Sequence, residues 1–215
     1  MVKVVKIAGL RKAVADRLGY SWRSCLPVAL MTEFDASALV KSYREAREKF
    51  GESSPSITAL IVKHVGDLLA EHREFNANIE GDEVKILDEI NIAVAVDTPK
   101  GLYAPTIKEV DKKNLMEVER ELRTLVDKAM KGTITLNELV GHGFTVSNLG
   151  HLGITYFTPI INPPDVCILG VGAIKQSETT PRGHLTLVFD HRAVDGAPAA
   201  SFLAAIRKRL ETTSI

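Results

Sequence analysis

Two cysteines, Cys25 and Cys167, are all that 215 residues supply, and neither has a C-x-x-C neighbour. A disulfide framework or a thiolate metal site is therefore not expected. Cys167, inside Val166-Cys167-Ile168-Leu169, reads as a small buried hydrophobe. An excess of charge of either sign is missing too: 27 basic residues balance 27 acidic ones. No overall field draws the chain to nucleic acid or an anionic membrane. No apolar run approaches the roughly 20 residues that span a bilayer. The opening Met1-Val2-Lys3-Val4-Val5-Lys6 is too short and too quickly polar for a signal peptide, so a cytoplasmic protein is expected. Internal repeats, low-complexity tracts and Pro/Ala-rich linkers are lacking. So are the phosphate-binding G-x-x-x-x-G-K-[ST] loop and the strand–G-x-G-x-x-G–helix unit. His142 and His151 flank a candidate strand, but no Cys or Glu completes a zinc spacing. Both read as surface or loop residues.

What is present is the make-up of a globular protein: 45% hydrophobic and 25% charged residues, enough chain for one sizeable domain or two small ones. Apolar spacing predicts helices over Leu10–Trp22, Ala38–Phe50, Ser56–Glu71, Asn114–Met130 and Ala197–Leu210, with a short helical turn at Thr135–Leu139. Asp35-Ala36-Ser37 supplies an N-cap for the second helix, and His64 reads as a packed residue of the third. Strands are expected at Val28–Phe34, Val84–Leu87, Ile90–Val96, Leu102–Ile107, Val166–Gly172 and Leu185–Phe189, with a loop at Phe75–Asn78.

The chemistry gathers at Phe189-Asp190-His191-Arg192-Ala193-Val194-Asp195-Gly196, between a buried-strand pattern and a helix. Loops at such junctions carry reactive groups on a rigid scaffold. A neutral imidazole can take a proton near pH 7, and a buried carboxylate close by can fix the geometry around it. By itself the short pattern H-x-x-x-D-G also fits a satisfied core histidine beside a helix-capping Asp.

Asp-His-Arg-x-x-Asp-Gly-Ala resembles the active-site motif of dihydrolipoamide acyltransferases, the catalytic cores of 2-oxo acid dehydrogenase complexes. Two further segments, in the same order, are similar to that family: Asn91-Ile92-Ala93-Val94-Ala95-Val96-Asp97-Thr98-Pro99, continuing through Gly101-Leu102 to Pro105, and Gly143-Phe144-Thr145-Val146-Ser147-Asn148-Leu149-Gly150 followed by Thr158-Pro159-Ile160-Ile161-Asn162-Pro163-Pro164. The likeness runs from Lys6 to about Leu210. One departure is Leu26-Pro27, where the family usually has Pro-His.

The resemblance implies a chloramphenicol acetyltransferase-like fold: an α/β (α+β two-layer) sandwich whose mixed sheet is covered by helices, as one catalytic core domain over residues 1–215. No lipoyl domain or small partner-binding domain is recognised, so an excised core or a free-standing core-like protein is expected. It implies acyl transfer between the thiols of a dihydrolipoyl group, carried by another domain or protein, and coenzyme A. In that scheme His191 is the general base, Ser147 donates to the tetrahedral oxyanion, and Asp195 holds the geometry through an arginine, with Arg11 as its partner. Carry-over of coenzyme A contacts points to Arg44, Ser56, Asp97, Ser147, Asn148 and Gly172, with an ordinary cap or turn as the alternative for Ser56, Asp97 and Gly172. No metal or covalent enzyme intermediate is required. The family builds its site between subunits of a homotrimer, His191 from one and Ser147 from the next. Trimers assemble into cubes or larger shells through hydrophobic C-termini, of which Thr212-Thr213-Ser214-Ile215 is a weak version. Ala197-Pro198 after Asp195-Gly196 resembles acetyl- or branched-chain-type members rather than succinyl-type ones. Two rivals stay open: a free-standing coenzyme A-dependent enzyme with a small-molecule acceptor, and a non-catalytic coenzyme A-binding scaffold.

Overall fold

Helix signals and helix positions coincide closely. In the computed structural model, which describes residues 2–177 and 179–214, α1 spans Gly9–Ser24, β1 Pro27–Asp35, α2 Ser37–Phe50 and α3 Ile57–Glu71. Ser56 caps α3, its hydroxyl accepting from Ala59 N at 3.1 Å. At α2, Ala36 takes the N-cap position, and Asp35 serves from one residue further out, its Oδ1 accepting from Ser37 N at 2.9 Å. The expected loop at 75–78 is partly strand. Ala77–Glu80 (β2) turns at Gly81, whose φ of 61° favours glycine, into Glu83–Ile86 (β3).

The runs 90–96 and 102–107 were expected as two strands, but each divides. Ile92–Val94 (β4) and Thr106–Ile107 (β7) belong to the main sheet, while Val96–Thr98 (β5) and Gly101–Tyr103 (β6) form a separate two-stranded hairpin. Pro105, with no N–H to give a ladder, marks the break between β6 and β7. Next come α4 (Leu115–Lys131), β8 (Phe144–Asn148), β9 (Cys167–Val171), β10 (Arg182–Asp190) and α5 (Gly196–Glu211). Asn114 and Glu117 close a capping box on α4, whose buried Val118, Leu122, Leu125 and Ala129 form one face.

The main sheet has the order β1-β10-β9-β8-β4-β7. β8 runs parallel to both β9 and β4, and the remaining pairs are antiparallel. Strand alternation gives this sheet two different faces. Phe144, Val146, Leu169, Val171, Leu187 and Phe189 point into the core with α3, α4 and α5. There Phe75 and Phe202 stack with ring centroids 4.2 Å apart. On the opposite face lie Ile168 and Val188, covered by Ile161 and the half-buried Cys25. α1 and the segment 149–165 cross this second face. The result is the two-layer α+β sandwich with a mixed sheet that the sequence led one to expect. Cys167 is buried, and both cysteines are free.

His64 packs as expected, its Nε2 3.1 Å from the Thr213 hydroxyl. Burial holds its pKa below the ordinary value of 6.5. Ile215, the last residue of the C-terminal run, lies outside the described residues. Among the described residues, no helix is long and apolar enough to cross a membrane, and no cluster of three or more His, Cys, Asp or Glu could hold a metal ion.

Candidate active site

The end of β10 is anchored by a carboxylate the sequence reading passed over. Asp190 is fully buried. It accepts from Leu26 N at 3.1 Å, from Arg192 N at 3.1 Å and from Arg192 Nη2 at 2.6 Å. Burial pushes its carboxyl up, but the Arg192 guanidinium and the two backbone N–H groups outweigh that and hold it below 3.8. The neighbouring His191 N donates to Leu26 O at 2.9 Å. Leu26 thus fixes both residues through its backbone, whatever side chain stands there.

The His191 imidazole is half-exposed, with Nδ1 3.8 Å from Asp195 Oδ1. That is too long for a hydrogen bond. Asp195 is itself 84% exposed at the N-cap position of α5 and caps nothing with its side chain. One expectation is corrected here: the buried carboxylate of the motif is Asp190, not Asp195, and the guanidinium beside Asp190 is that of Arg192. Arg11 lies near the start of α1, beside Leu10, which packs on Gly101. Ser21, near the other end of that helix, reaches Ile161 O at 2.7 Å. Ten residues of helix separate the two points by about 15 Å, so within one chain Arg11 stands away from the motif.

Ser147 opens onto a cavity of about 740 Å³ that Ser56, Thr58, Asp97, Asn148, Glu119 and Arg123 also line. A second cavity of about 450 Å³ shares Ser56, Thr58 and Asn148 and adds Gly172. Five of the six residues assigned to coenzyme A therefore come together. Arg44 does not: it is exposed on α2 and lines neither cavity.

The five are not equally free. Ser56 N and Oγ both donate to Glu119 Oε2, at 2.8 and 2.7 Å. Asn148 Nδ2 donates to Thr58 Oγ1 at 3.0 Å, and its Oδ1 accepts from Gly150 N at 2.8 Å. A Cβ at Gly172 would lie 1.8 Å from Thr155 O, so glycine there admits a close backbone approach. The Ser147 hydroxyl, by contrast, has no hydrogen-bond partner among the described residues and remains free to donate. Arg123 is spent: it pairs with Glu119 and donates to Glu52 O at 2.6 Å and Ser54 O at 2.7 Å.

His142 lies in the loop before β8, one of the two places expected for it, but it is 1% exposed rather than on the surface, with Nδ1 2.6 Å from Asp165 Oδ1. The buried acceptor arrives from 23 residues away in sequence. His151 is exposed, as expected, at the cavity rim.

Ser147 and His191 do not meet within one chain. Ser147 is level with Gly170, and Gly170 with Thr186. His191 lies five residues beyond Thr186, two strand spacings away from Ser147, a separation of about 19 Å. Proton transfer needs contact at about 3 Å.

The family model for 2-oxoacid dehydrogenases acyltransferase (catalytic domain) matches residues 1–214. The dihydrolipoyllysine-residue succinyltransferase component of the 2-oxoglutarate dehydrogenase complex of Escherichia coli K12 is 35% identical over 220 residues, covering 97% of this chain and 54% of that protein. The dihydrolipoyllysine-residue acetyltransferase component of the pyruvate dehydrogenase complex of Acholeplasma laidlawii is 37% identical over 230 residues, covering 100% and 42%. The chain spans about half the length of these curated relatives.

Among solved structures, the dihydrolipoamide acetyltransferase of Azotobacter vinelandii superposes with a TM-score of 0.91 at 30% identity, covering 98% of this chain and 92% of that one. It was studied for the roles of a serine, a histidine and an asparagine in its catalytic mechanism, the last two spaced as His191 and Asp195 are here. A chloramphenicol acetyltransferase, at 16% identity and a TM-score of 0.61, shares the fold.

Proposed function

The chain belongs to the family of 2-oxoacid dehydrogenase acyltransferase catalytic domains, and on that premise we propose that it moves an acyl group between a dihydrolipoyl thiol and coenzyme A. The observation that carries the mechanism is the free Ser147 hydroxyl at a cavity wall, about 19 Å from His191 along the sheet. The working site then lies between two copies of the chain, Ser147 from one and His191 from the next, in a homotrimer. Larger shells of trimers belong to the same proposal.

His191 removes the coenzyme A thiol proton, since the thiolate is the attacking species and an ordinary thiol pKa is about 8.5. The new carbon–sulfur bond forms as the carbonyl electrons move to oxygen, and the Ser147 hydroxyl donates to that oxyanion. Collapse breaks the bond to the lipoyl sulfur, which takes the proton back from His191. Asp195 is too exposed and too distant from the imidazole in one chain to orient it there, and we assign its role to the assembled interface.

An acetyl or branched-chain acyl group is assigned from Ala197-Pro198 after Asp195-Gly196, which resembles members of those types. The two free thiols and the lack of any C-x-x-C pair suit a reducing cytoplasm.

Acetyl transfer from acetyl-CoA to free dihydrolipoamide tests the reading, wild type against His191→Ala. A fall of several orders of magnitude supports it. A wild type that binds coenzyme A without transferring acetyl or branched-chain groups to dihydrolipoamide overturns it in favour of a scaffold or a different acceptor.

A further inference from the structure

Behind the Ser147 strand sits a closed ring of four buried side chains that the transfer chemistry above does not use. His142 Nδ1 lies 2.6 Å from Asp165 Oδ1. The Thr145 hydroxyl donates to Asp165 Oδ2 at 2.6 Å. Asn162 Nδ2 donates to Thr145 Oγ1 at 3.2 Å and faces His142 Nε2 at 3.4 Å, which returns the chain of contacts to its start. His142, Thr145, Asn162 and Asp165 are each no more than 8% exposed.

One Asp165 oxygen takes the Thr145 hydroxyl and the other meets His142 Nδ1, while the Asn162 amide donates to Thr145 Oγ1 and faces His142 Nε2. A fully matched buried network of this kind holds its members in a single geometry.

Its members come from two places. His142 lies just before β8 and Thr145 near its start; Asn162 and Asp165 close the segment that crosses the sheet's second face before β9. The same segment is tied to α1, through Ser21 Oγ to Ile161 O and through Arg17 to Pro163 O. Thr145 and Ser147 are two apart on one strand, so they share a face at a spacing of about 7 Å. Gly170, level with Ser147, has Phe157 and Pro159 lying across it.

We propose that the Thr145–Asp165 hydrogen bond, closed into a ring by His142 and Asn162, is a positioning device that sets where the Ser147 hydroxyl stands. Thr145 is the positioning residue, acting through Ser147 and touching no substrate. The proposal rests on the assignment of Ser147 as the oxyanion donor. Freed from Asp165, β8 can drift against β9 and the crossing segment. A shift of about 1 Å in a catalytic group costs roughly 100-fold in rate.

The test is a double-mutant cycle on the assembled protein, read by acetyl transfer to dihydrolipoamide. Thr145→Val keeps the shape of the side chain and removes the hydroxyl. It should lower kcat by about 10- to 100-fold with KM for acetyl-CoA nearly unchanged. Thr145→Ser should restore kcat, and Thr145→Cys, with its weak donor, should fall between. If Thr145→Val does not fold, the Ser and Cys variants still give the graded comparison. In a Ser147→Ala background, the Thr145 changes should cost little more, because their route of action is gone. Equal losses in both backgrounds, or a loss that appears in KM and not in kcat, would overturn the positioning role. A Ser147→Ala variant with undiminished kcat would instead sink the oxyanion assignment on which it rests.

Discussion

Complementation between two inactive variants follows directly from the strand registers. Ser147 and His191 lie about 19 Å apart in one chain, against the roughly 3 Å that a shared tetrahedral intermediate requires. Ser147→Ala alone should cost about 100- to 1000-fold, the usual effect of removing one oxyanion donor. His191→Ala should cost more. Co-expressed with different tags and purified as mixed assemblies, the two variants place intact serines next to intact histidines. If each site takes its serine from one chain and its histidine from the next, random mixing leaves about one site in four intact. Acetyl transfer should then recover to about a quarter of wild type, far above either parent. The assay is thiol acetylation of dihydrolipoamide at saturating acetyl-CoA. Mixed assemblies that stay at the level of the better parent would mean each chain folds its own complete site, and the intersubunit mechanism would be wrong.

Other outcomes are open to simpler measurement. Gly172→Ala places a Cβ 1.8 Å from Thr155 O, and denaturant melts should register an overpacking loss of about 1–3 kcal/mol. Arg192→Leu leaves the buried Asp190 carboxylate without its guanidinium and should destabilise the fold by about 3 kcal/mol. In the wild type, folded Asp190 binds its proton less readily than the unfolded group, whose pKa is near 3.8. The stability from this pair is therefore complete above that pH and is lost as pH falls through and below it. Acid unfolding of Arg192→Leu should lack that component; an unchanged acid profile would count against it. His142→Ala strips a hydrogen-bond partner from the buried Asp165, and we expect a loss of about 1–3 kcal/mol, with Asp165→Asn in the same background recovering part of it in thermal melts.

Local pattern accounted for the helices and for the sheet strands that are apolar on both sides. The apolar residues of α3 and the Asn114–Glu117 box of α4 state their structure within a few residues of chain. Pattern failed where one strand serves two sheets. Ile92–Val96 is continuous in hydrophobicity, yet the chain leaves the main sheet at Ala95 because its partner run is broken by Pro105.

The site divides in the same way. His191, Ser147 and the cavity-lining Asp97 were legible as candidate site residues from three short motifs, since residue type and order survive in one dimension. Which carboxylate is buried was not. Asp190 and Asp195 are equally good by type and spacing, and only the fold sets one under Arg192 and the Leu26 amide while leaving the other in solvent. His142 reads in sequence as a surface or loop residue. Its acceptor, Asp165, comes to it because parallel β8 and β9 need a long connection that returns across the sheet. Burial and the meeting of distant side chains are properties of the packed strands, and they alone placed Ser147 and His191 too far apart to act in a single chain.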